Sequence, residues 1–524
     1  MKEKFEYATE PLPHQATYFE EHRETLYHAT LWEQGLGKTK AILDQATWLY
    51  CKGLIDGLVV IAPSGVHRNW TSDEVVKHVH PRVKWKACCY QTKTGKTQRA
   101  QREMQTLLDH KGFAILVMSY DSLMTETGRD VMKKFLTKRH CFYASDESAR
   151  IKNPDAKRTN RVLASSAYAP YRRIMSGTPV ANGPFDIYSQ MKFLDPDFWK
   201  PAFPTFAAFK NTFGLFRSQE LSNGRRFPML VQYRQLPYLY SLIKDVSSRL
   251  LKKDVLNLPD KIYTKRYFEL SAKQQRLYDE IEDTGVFEFG KDGKTALHDA
   301  SSALVAQLRK YQVCCGYLPT DPENTRESLT AIDDSNPRLD CLFDTLEDFP
   351  GKCLIWCHFT EDVDLIMARA AKEKRTAVRY DGEVSEADRY INLNRFRNSD
   401  DCDLFVAKQS VAGEGLTIVE AKTSIYYSNS WFMDKRLQSE DRNHRIGQDV
   451  SPTYVDLLSD TELERKIVKA LQTKLDVSCA VLGDELVDWI GRSLGIQPQA
   501  DNVAHLLQAN FDFREYEEFF QPQD

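Results

Sequence analysis

The stretch EQGLGKT, residues 33–39, is typical of a phosphate-binding loop in front of a helix. It departs from the strict P-loop pattern G-x-x-x-x-G-K-[ST], because Trp32 stands where the first glycine belongs. The surviving G-x-G-K-T precedes the helical pattern KAILDQATWLY, so backbone amides, a helix N-terminus and Lys38 can converge on β- and γ-phosphates, with Thr39 on Mg²⁺. A glycine-rich turn without a ligand is the alternative.

A pair of adjacent carboxylates, Asp146 and Glu147, ends the strand-like run HCFYAS. Side chains at the carboxyl edge of a parallel sheet lie where nucleotides bind in such folds. Asp146 would hold the Mg²⁺ that bridges the phosphates, and Glu147 would orient and deprotonate the attacking water. An exposed acidic pair at a strand end is the alternative, against which the GKT in the same domain argues.

Two arginines stand far from this loop, in QSEDRNHRIGQ at residues 438–448. Arg442 and Arg445 are three residues apart, which predicts one helical face, and Gln438 lies four residues before Arg442. An arginine inserted from outside stabilises the departing γ-phosphoryl group and accelerates its transfer by about 10³ to 10⁵. A surface helix that carries two arginines is the alternative.

Near-continuous apolar runs recur in two parts of the chain, as expected of strands in parallel sheets covered on both faces. The segment between them is first aromatic-rich and then helical in pattern. The sequence therefore predicts an α/β fold of two similar lobes with helical protrusions between them. The strands are predicted at 57–63, 113–120, 140–147 and 172–179, and again at 352–359, 376–382, 403–409, 423–430 and 453–458. The predicted domains are 1–194, 195–334, 335–475 and an acidic tail at 476–524, which would brace the second lobe or bind a partner.

Composition bounds the class of protein. A chain of 524 residues predicts two or three domains, and no apolar run approaches the roughly 18 residues of a membrane span. The N-terminus MKEKFEYATE lacks the apolar core of a signal peptide, so a cytoplasmic protein is expected. The eleven cysteines form no C-x-x-C pair, which favours reduced core thiols over zinc or disulfides.

The net charge of -3 gives no global electrostatic reason to expect nucleic acid, so local patches would have to bind it. One candidate is the basic stretch between Arg150 and Arg173, for which a solvated face is the alternative. Its basic residues are Arg150, Lys152, Lys157, Arg158, Arg161, Arg172 and Arg173.

Over about residues 10–480 the sequence resembles the superfamily-two helicases, and within them the Swi/Snf-related ATPases that move along double-stranded DNA. The RIKN after the acidic pair and the HRIGQ near the end of the second lobe are specific to this family, and the connecting block LLKKDVLNLPDK resembles compact bacteriophage and bacterial members. In chain order, the matching motifs are PLPHQ, EQGLGKT, IAPSGVHRNW, SYDS, DESARIKNP, SGTP, LIWCHF, SVAGEGLTI and QSEDRNHRIGQ.

The resemblance implies two tandem RecA-like P-loop lobes that use ATP and Mg²⁺. It implies nucleotide contacts by Gln15 (the adenine reader), Gly35, Gly37, Lys38, Thr39, Gly415 and Gln438, metal ligation by Thr39 and Asp146, and catalysis by Lys38, Glu147, Arg442 and Arg445. It implies coupling of nucleotide state to DNA grip by Ser176 and Thr178, and DNA backbone contacts around Pro63, Ser119, Tyr120, Gly382 and Gly415. The family's acidic motif usually ends in histidine, whereas this chain has Ser148 and Ala149, which puts the usual coupling route in doubt.

The expected function is that of an ATP-dependent translocase on double-stranded DNA, held by backbone contacts that do not depend on base sequence. Branched DNA and protein–DNA complexes are further candidate partners, no membrane is expected, and the expected location is the cytoplasm of a bacterial or phage-infected cell. A strand-separating DNA or RNA helicase is the alternative enzyme. A non-catalytic nucleic-acid-binding scaffold is the alternative of a different class.

Overall fold

The chain folds as two units, and the boundary between them lies between Asn257 and Leu258. The computed structural model describes residues 5–64, 66–220, 226–291, 294–324, 328–412, 416–486 and Trp489. Residues 477–486 belong to the first unit, and Trp489 belongs to the second.

A 7-stranded sheet forms the centre of the first unit, in the order β3-β4-β2-β5-β6-β1-β9, and all neighbouring strands are parallel. β2 and β4 are buried along their whole length, which explains why they read as continuous apolar runs. A separate antiparallel hairpin consists of β7 and β8. The strands are β1 Tyr27–Trp32, β2 Gly57–Ala62, β3 Trp85–Tyr90, β4 Phe113–Ser119, β5 Cys141–Asp146, β6 Tyr171–Met175, β7 Gly214–Glu220, β8 Arg226–Tyr233 and β9 Ser247–Leu250.

Helices cover this sheet, and several begin at a threonine whose side chain accepts a hydrogen bond from a backbone N–H in the first turn. The helices are α1 Pro13–His22, α2 Lys38–Cys51, α3 His67–Asn69, α4 Val75–His78, α5 Gln98–Leu108, α6 Glu126–Lys138, α7 Lys157–Ser166, α8 Ile187–Leu194, α9 Phe206–Phe213, α10 Leu236–Ile243 and α11 Lys252–Val255.

A 6-stranded parallel sheet forms the centre of the second unit, in the order β10-β19-β18-β15-β17-β16. Along β15, Cys353, Ile355 and Cys357 pack into one core, while Leu354 and Trp356 pack into the core on the other face. The strands are β10 Ile262–Phe268, β11 Val286–Lys291, β12 Lys294–Asp299, β13 Tyr317–Pro319, β14 Leu329–Ala331, β15 Cys353–Cys357, β16 Ala377–Tyr380, β17 Leu404–Lys408, β18 Thr423–Tyr426 and β19 Thr453–Ser459.

At least one helix lies between each two successive strands of this sheet, as parallel connections require. The helices are α12 Ala272–Thr284, α13 Ala303–Cys315, α14 Pro337–Asp348, α15 Thr360–Lys372, α16 Glu386–Asn398, α17 Gln409–Ala412, α18 Met433–Glu440 and α19 Glu462–Leu482, of which the last six residues belong to the first unit. The chain thus contains two parallel sheets in tandem, each with helices between its strands. This arrangement confirms the predicted α/β fold of two RecA-like lobes.

All nine predicted strand segments overlap a strand of one of the two sheets. The segment 195–334, expected to form helical protrusions, is not purely helical. It contains three two-stranded sheets, and it contributes β9 to the first large sheet and β10 to the second. Within the described residues, no helix has both the length and the apolar character needed to cross a bilayer.

Candidate nucleotide-hydrolysis site

The predicted phosphate-binding loop connects β1 to α2 in the first unit. Gly35 and Gly37 have left-handed backbone angles, with φ of 87° and 72°, which residues with a side chain adopt at a cost. Gly37 is the N-cap of α2 and provides no side-chain cap, so the first amides of the helix are not capped in this way. The Lys38 ammonium donates to the carbonyl oxygens of Trp32 at 2.8 Å and Glu33 at 3.1 Å, and therefore lies over the loop.

Gln15 contacts this loop directly. Its Oε1 accepts from the N–H of Leu12 at 2.8 Å, and its Nε2 donates to the carbonyl oxygen of Gly37 at 3.0 Å. The side chain is only 3% exposed. A Cβ at position 37 would lie 2.1 Å from Nε2, so a side chain there would displace the Gln15 amide and would also be strained by the left-handed φ. The adenine-reading role of Gln15 stays a prediction.

The acidic pair lies at the end of β5, where each carboxylate is held by a different segment. Oδ2 of Asp146 accepts from the indole Nε1 of Trp70 at 3.0 Å. Oε1 of Glu147 accepts from the hydroxyl of Ser176 at 3.1 Å. Glu147 also has left-handed backbone angles (φ 51°), so the chain turns sharply at this residue.

The SGTP segment, residues 176–179, lies between the acidic pair and the phosphate-binding loop. It follows β6, and β6 lies between β5 and β1 in the sheet. A Cβ at Gly177 would lie 3.2 Å from the backbone nitrogen of Gln34 in the loop, and the Ser176 N–H donates to the carbonyl of Thr30 on β1 at 3.3 Å. Since neighbouring strands are about 4.8 Å apart, the three predicted motifs meet at one edge of one sheet.

This donor set fits a nucleoside triphosphate with Mg²⁺. The two left-handed glycines shape the loop in front of an uncapped helix N-terminus, which is the arrangement that binds phosphate. Lys38 provides a cation, Thr39 a hydroxyl, and Asp146 and Glu147 provide carboxylates at the same sheet edge. Mg²⁺ prefers such oxygen ligands, few from protein and the rest from phosphates and water.

The second unit contains the predicted arginines, but not on one helical face. Helix α18 ends at Glu440, so Arg442 and Arg445 both lie in the turns that follow it. Arg442 is 1% exposed and donates through Nε to the Gln438 carbonyl at 2.7 Å and through Nη1 to the Leu416 carbonyl at 2.8 Å.

Arg445 packs against the same loop that precedes β18. Its Nε donates to the Asp441 carbonyl and its Nη1 to the hydroxyl of Thr417, both at 2.8 Å. Burial lowers the pKa of its guanidinium, and the nearby Asp441 carboxylate opposes that shift. Arg442 and Arg445 were predicted to act as arginine fingers, which enter the site from outside and stabilise the departing γ-phosphoryl group. These roles stay predictions, and Gly415 lies outside the described residues.

An ionic cluster near the arginines was not predicted from the sequence. Arg436 on α18 pairs through both Nη atoms with Asp456, at 2.5 and 2.9 Å, and through Nε with Glu440 at 2.9 Å. Glu440 also accepts from Lys261 at 2.9 Å and from the indole of Trp489 at 3.0 Å. Arg436, Glu440 and Asp456 are fully buried. The i,i+4 spacing of Arg436 and Glu440 was a signal for part of this cluster.

Electrostatics keep Glu440 ionised in this cluster. Burial alone would raise its pKa, but the charges of Lys261 and Arg436 lower the pKa of Glu440 to about 2. The Tyr263 hydroxyl on β10 also donates to Glu440 at 2.8 Å, so the cluster fixes α18, the helix that leads into Arg442, to β10 and β19.

The predicted DNA-contacting residues differ in exposure. Ser119 and Tyr120 are buried. The Tyr120 hydroxyl donates to the Asp146 carbonyl at 2.6 Å, so its side chain supports the turn that carries Asp146 and Glu147, called here the acidic turn. Pro63 is buried and its carbonyl accepts from the N–H groups of two following residues. Gly382 is exposed. The DNA contacts stay predictions. Among the described residues, the buried Thr178 hydroxyl has no hydrogen-bond partner, and its coupling role also stays a prediction.

The predicted basic stretch does not form one surface face, because its last two members are interior. Arg173 is 0% exposed and donates to the carbonyls of His22, Thr25 and Leu26. Arg172 lies over the Tyr27 ring, with its guanidinium carbon 4.4 Å from the ring centre.

Two family profiles match this chain. The profile of the SNF2-related domain matches residues 31–317, and that of the helicase conserved C-terminal domain matches residues 337–447. The chain therefore belongs to the SNF2-related family and carries the domains of a helicase-like ATPase.

Individual relatives are similar over most of this chain. The ATP-dependent helicase brm of Drosophila melanogaster is 25% identical over 475 residues, which cover 87% of this chain. An uncharacterized ATP-dependent helicase of Mycoplasma genitalium is 24% identical over 448 residues, or 85% of this chain. The chain spans between 28% and 39% of the length of these two relatives.

Among solved structures, the Sulfolobus solfataricus SWI2/SNF2 ATPase core in complex with dsDNA is 23% identical. The match covers 89% of this chain and 92% of that one, with a TM-score of 0.39.

Proposed function

We propose that this protein is an ATP-dependent motor that moves on double-stranded DNA and remodels DNA or protein–DNA complexes. The observation that carries the proposal is the meeting of the phosphate-binding loop, the SGTP segment and the acidic pair at one sheet edge, joined by the contact between Ser176 and Glu147. The membership of the chain in the SNF2-related family supports the same reading. The connecting block LLKKDVLNLPDK supports a compact member of bacterial or bacteriophage type.

In the first unit the residues divide the work of hydrolysis. The loop amides and Lys38 would bind the β- and γ-phosphates, and Thr39 and Asp146 would hold Mg²⁺. The bound ion would neutralise charge that develops on the phosphate oxygens. Glu147, held by the Ser176 hydroxyl, orients the water and takes its proton.

In the second unit Arg442 and Arg445 stabilise the charge of the leaving phosphoryl group. Both guanidiniums are bonded to backbone carbonyls, which hold their direction without neutralising them. In this proposal residues 1–194 and 335–475 act as the two lobes, whose closure around ATP brings arginine to the phosphates and produces a step along DNA. Residues 195–334 form the protrusions, apart from β9 and β10, which belong to the two large sheets. Most of the predicted tail at 476–524 lies outside the described residues, and its described stretch at 477–486 belongs to the first unit.

Double-stranded DNA is proposed as the track because HRIGQ and RIKN are the features by which this family differs from strand-separating helicases. Contacts to the DNA backbone would be independent of base sequence and weakened by salt. The ATP-dependent helicase name of the brm relative is consistent with a nucleic-acid motor.

The test is a panel of ATP turnover measurements with no nucleic acid, single-stranded DNA, duplex DNA, branched DNA and RNA. We expect duplex or branched DNA to stimulate turnover most. A triplex-displacement assay should be positive and a strand-displacement assay negative, whereas the opposite pair of results would favour the helicase alternative. Turnover that ignores DNA would overturn the proposal.

The scaffold alternative is decided by Glu147→Gln. The proposal expects this variant to bind ATP with unchanged affinity and to lose at least about 10²-fold in turnover, because general-base catalysis supplies about 10² to 10⁴. A scaffold would keep its nucleic-acid binding and show no ATP turnover even as the unaltered chain.

A further inference from the structure

Ser148 follows Glu147 directly and turns its side chain into the interior of the first unit. Its hydroxyl donates to Oε1 of Gln190 at 2.7 Å, and both residues are 0% exposed. Gln190 lies on α8, the helix that comes after the SGTP segment. The contact therefore joins the turn of the acidic pair to that helix.

The amide of Gln190 uses its remaining hydrogen-bonding groups on the chain between the SGTP segment and α8. Nε2 donates to the carbonyl of Pro179 at 2.7 Å and to the carbonyl of Asp186 at 2.8 Å. Carbonyl oxygens can only accept, so the NH₂ group must face them and Oε1 must face Ser148. The chemistry of the three partners thus fixes both the orientation of the amide and the direction of every bond.

Two separate connections consequently run from the acidic turn to the SGTP segment. The direct connection joins Glu147 to Ser176, at the carboxyl edge of the sheet. The second runs from Ser148 through Gln190 to Pro179, the last residue of SGTP. Because the second connection is fully buried, water does not compete for its bonds, and each bond is stronger than it would be in solvent.

The second connection also bears on the histidine that is missing from the acidic motif of this chain. Where the family's acidic motif usually ends in histidine, this chain has Ala149, whose side chain cannot form a hydrogen bond. Ser148 and Gln190 connect the acidic turn to the SGTP segment with one hydroxyl and one amide instead.

We propose that Gln190, with Ser148, is the positioning link that transmits the state of the hydrolysis site to the SGTP segment, and so couples ATP turnover to DNA. The link rests on the proposed motor function. Neither residue contacts the reacting groups in this role. Without the amide, the Pro179 and Asp186 carbonyls lose this donor, and the SGTP segment is no longer tied to the acidic turn through the interior.

The test compares Gln190→Met, Ser148→Ala and the double variant with the unaltered chain. Methionine keeps the length and approximate volume of glutamine but makes none of its hydrogen bonds. Ser189→Ala is the matched control, because Ser189 is the next residue on α8, is 0% exposed, and among the described residues its hydroxyl has no hydrogen-bond partner. Thermal unfolding of each variant establishes that it is folded.

The readouts are ATP turnover without DNA, its stimulation by duplex DNA, and triplex displacement per ATP hydrolysed. We expect Gln190→Met to keep basal turnover and the KM for ATP within about twofold, and to lose about fivefold or more in stimulation and displacement, the lower end of typical coupling between sites. Ser148→Ala should also lower stimulation by DNA and triplex displacement. The double variant should be no worse than Gln190→Met, because the two substitutions break the same connection and their effects therefore do not add. Ser189→Ala should match the unaltered chain.

Two results would overturn the link. In one, Gln190→Met and Ser148→Ala retain full stimulation and displacement. In the other, basal and stimulated turnover fall together, which indicates a purely structural role. If Gln190→Met does not fold, Ser148→Ala decides by the same criteria. An unaltered chain that ignores DNA would defeat the motor proposal itself, and the link with it, and this result is distinguishable because it is seen before any variant is compared.

Discussion

The Ser176 hydroxyl donates to Oε1 of Glu147 at 3.1 Å, so a residue that follows β6 orients the carboxylate that follows β5. We expect Ser176→Ala to lower kcat for ATP by about tenfold, part of the 10² to 10⁴ that a well-placed general base supplies. The KM for ATP should stay within about twofold, since Ser176 binds no phosphate in this proposal. Steady-state kinetics with duplex DNA measure both constants, and a raised KM at constant kcat would contradict this role.

Gly37 and Gly53 form a matched pair for testing the phosphate-binding loop. Their φ angles are 72° and 70°, but a Cβ at Gly37 would lie 2.1 Å from Gln15 Nε2, whereas a Cβ at Gly53 would have no atom within 4 Å. Gly53→Ala should therefore cost about 1 to 2 kcal/mol, the backbone term alone. Gly37→Ala should cost more and weaken ATP binding. Denaturant unfolding and nucleotide titration measure the two effects, and equal results for both variants would show that the Gln15 contact is unimportant.

Arg442 and Arg445 should differ in structural cost although both are proposed as fingers. Replacement of either by lysine is expected to reduce DNA-stimulated turnover by about 10³ or more, because an ammonium cannot reproduce the planar fork. Arg442→Lys should also lower Tm, since Arg442 is buried and joins the Gln438 and Leu416 carbonyls. Arg465→Lys is the control, because Arg465 is half exposed and pairs with Asp460. Normal turnover in both finger variants would refute the assignment.

Glu440 predicts a pH dependence in the second unit. Its pKa is about 2 in the folded protein and 4.5 ordinarily, so its ionised form stabilises the fold above pH 4.5 and this contribution is lost as pH falls toward 2. The full contribution is about 3 kcal/mol, at about 1.4 kcal/mol per pKa unit. Glu440→Gln should be destabilised by about 3 to 5 kcal/mol at neutral pH, because Lys261 and Arg436 lose a buried partner.

Hydrogen exchange of the amides in β18 and β19 measures this difference within the second unit alone. The gap between the unaltered chain and Glu440→Gln should shrink as pH falls below 4.5. A gap that is constant from pH 7 to 2.5 would mean that the Glu440 carboxylate does not contribute through its charge.

Most sheet strands could be predicted because they are continuous apolar runs buried on both faces. The missed strands lack that pattern for identifiable reasons. β1 carries His28 and Thr30 in its interior, and both are buried beside Tyr18. β9, with the sequence SSRL, and β10, with IYTKRYF, are edge strands that bury fewer side chains, so their polar residues hide the strand signal.

The glycine-rich loop before a helix and the acidic pair at a strand end were predictable because both relationships are local in the sequence. The position of Arg442 was not, because its one-face prediction assumed a helix that the structure ends at Glu440. The Gln190 amide also escaped prediction, since its partners Ser148 and Pro179 are 42 and 11 residues away in the chain. Contacts of that kind depend on the packed fold, which no periodicity records.

Because Glu147 has left-handed backbone angles, selection for stability and selection for ATP turnover would favour different residues at this position. A glycine would relax that residue by about 1 kcal/mol, so Glu147→Gly should melt at a higher temperature than the parent while releasing no phosphate. A library selected only for thermal stability would accordingly lose the proposed general base early. Selection for continued ATP turnover, and not selection for stability, would retain a carboxylate at position 147.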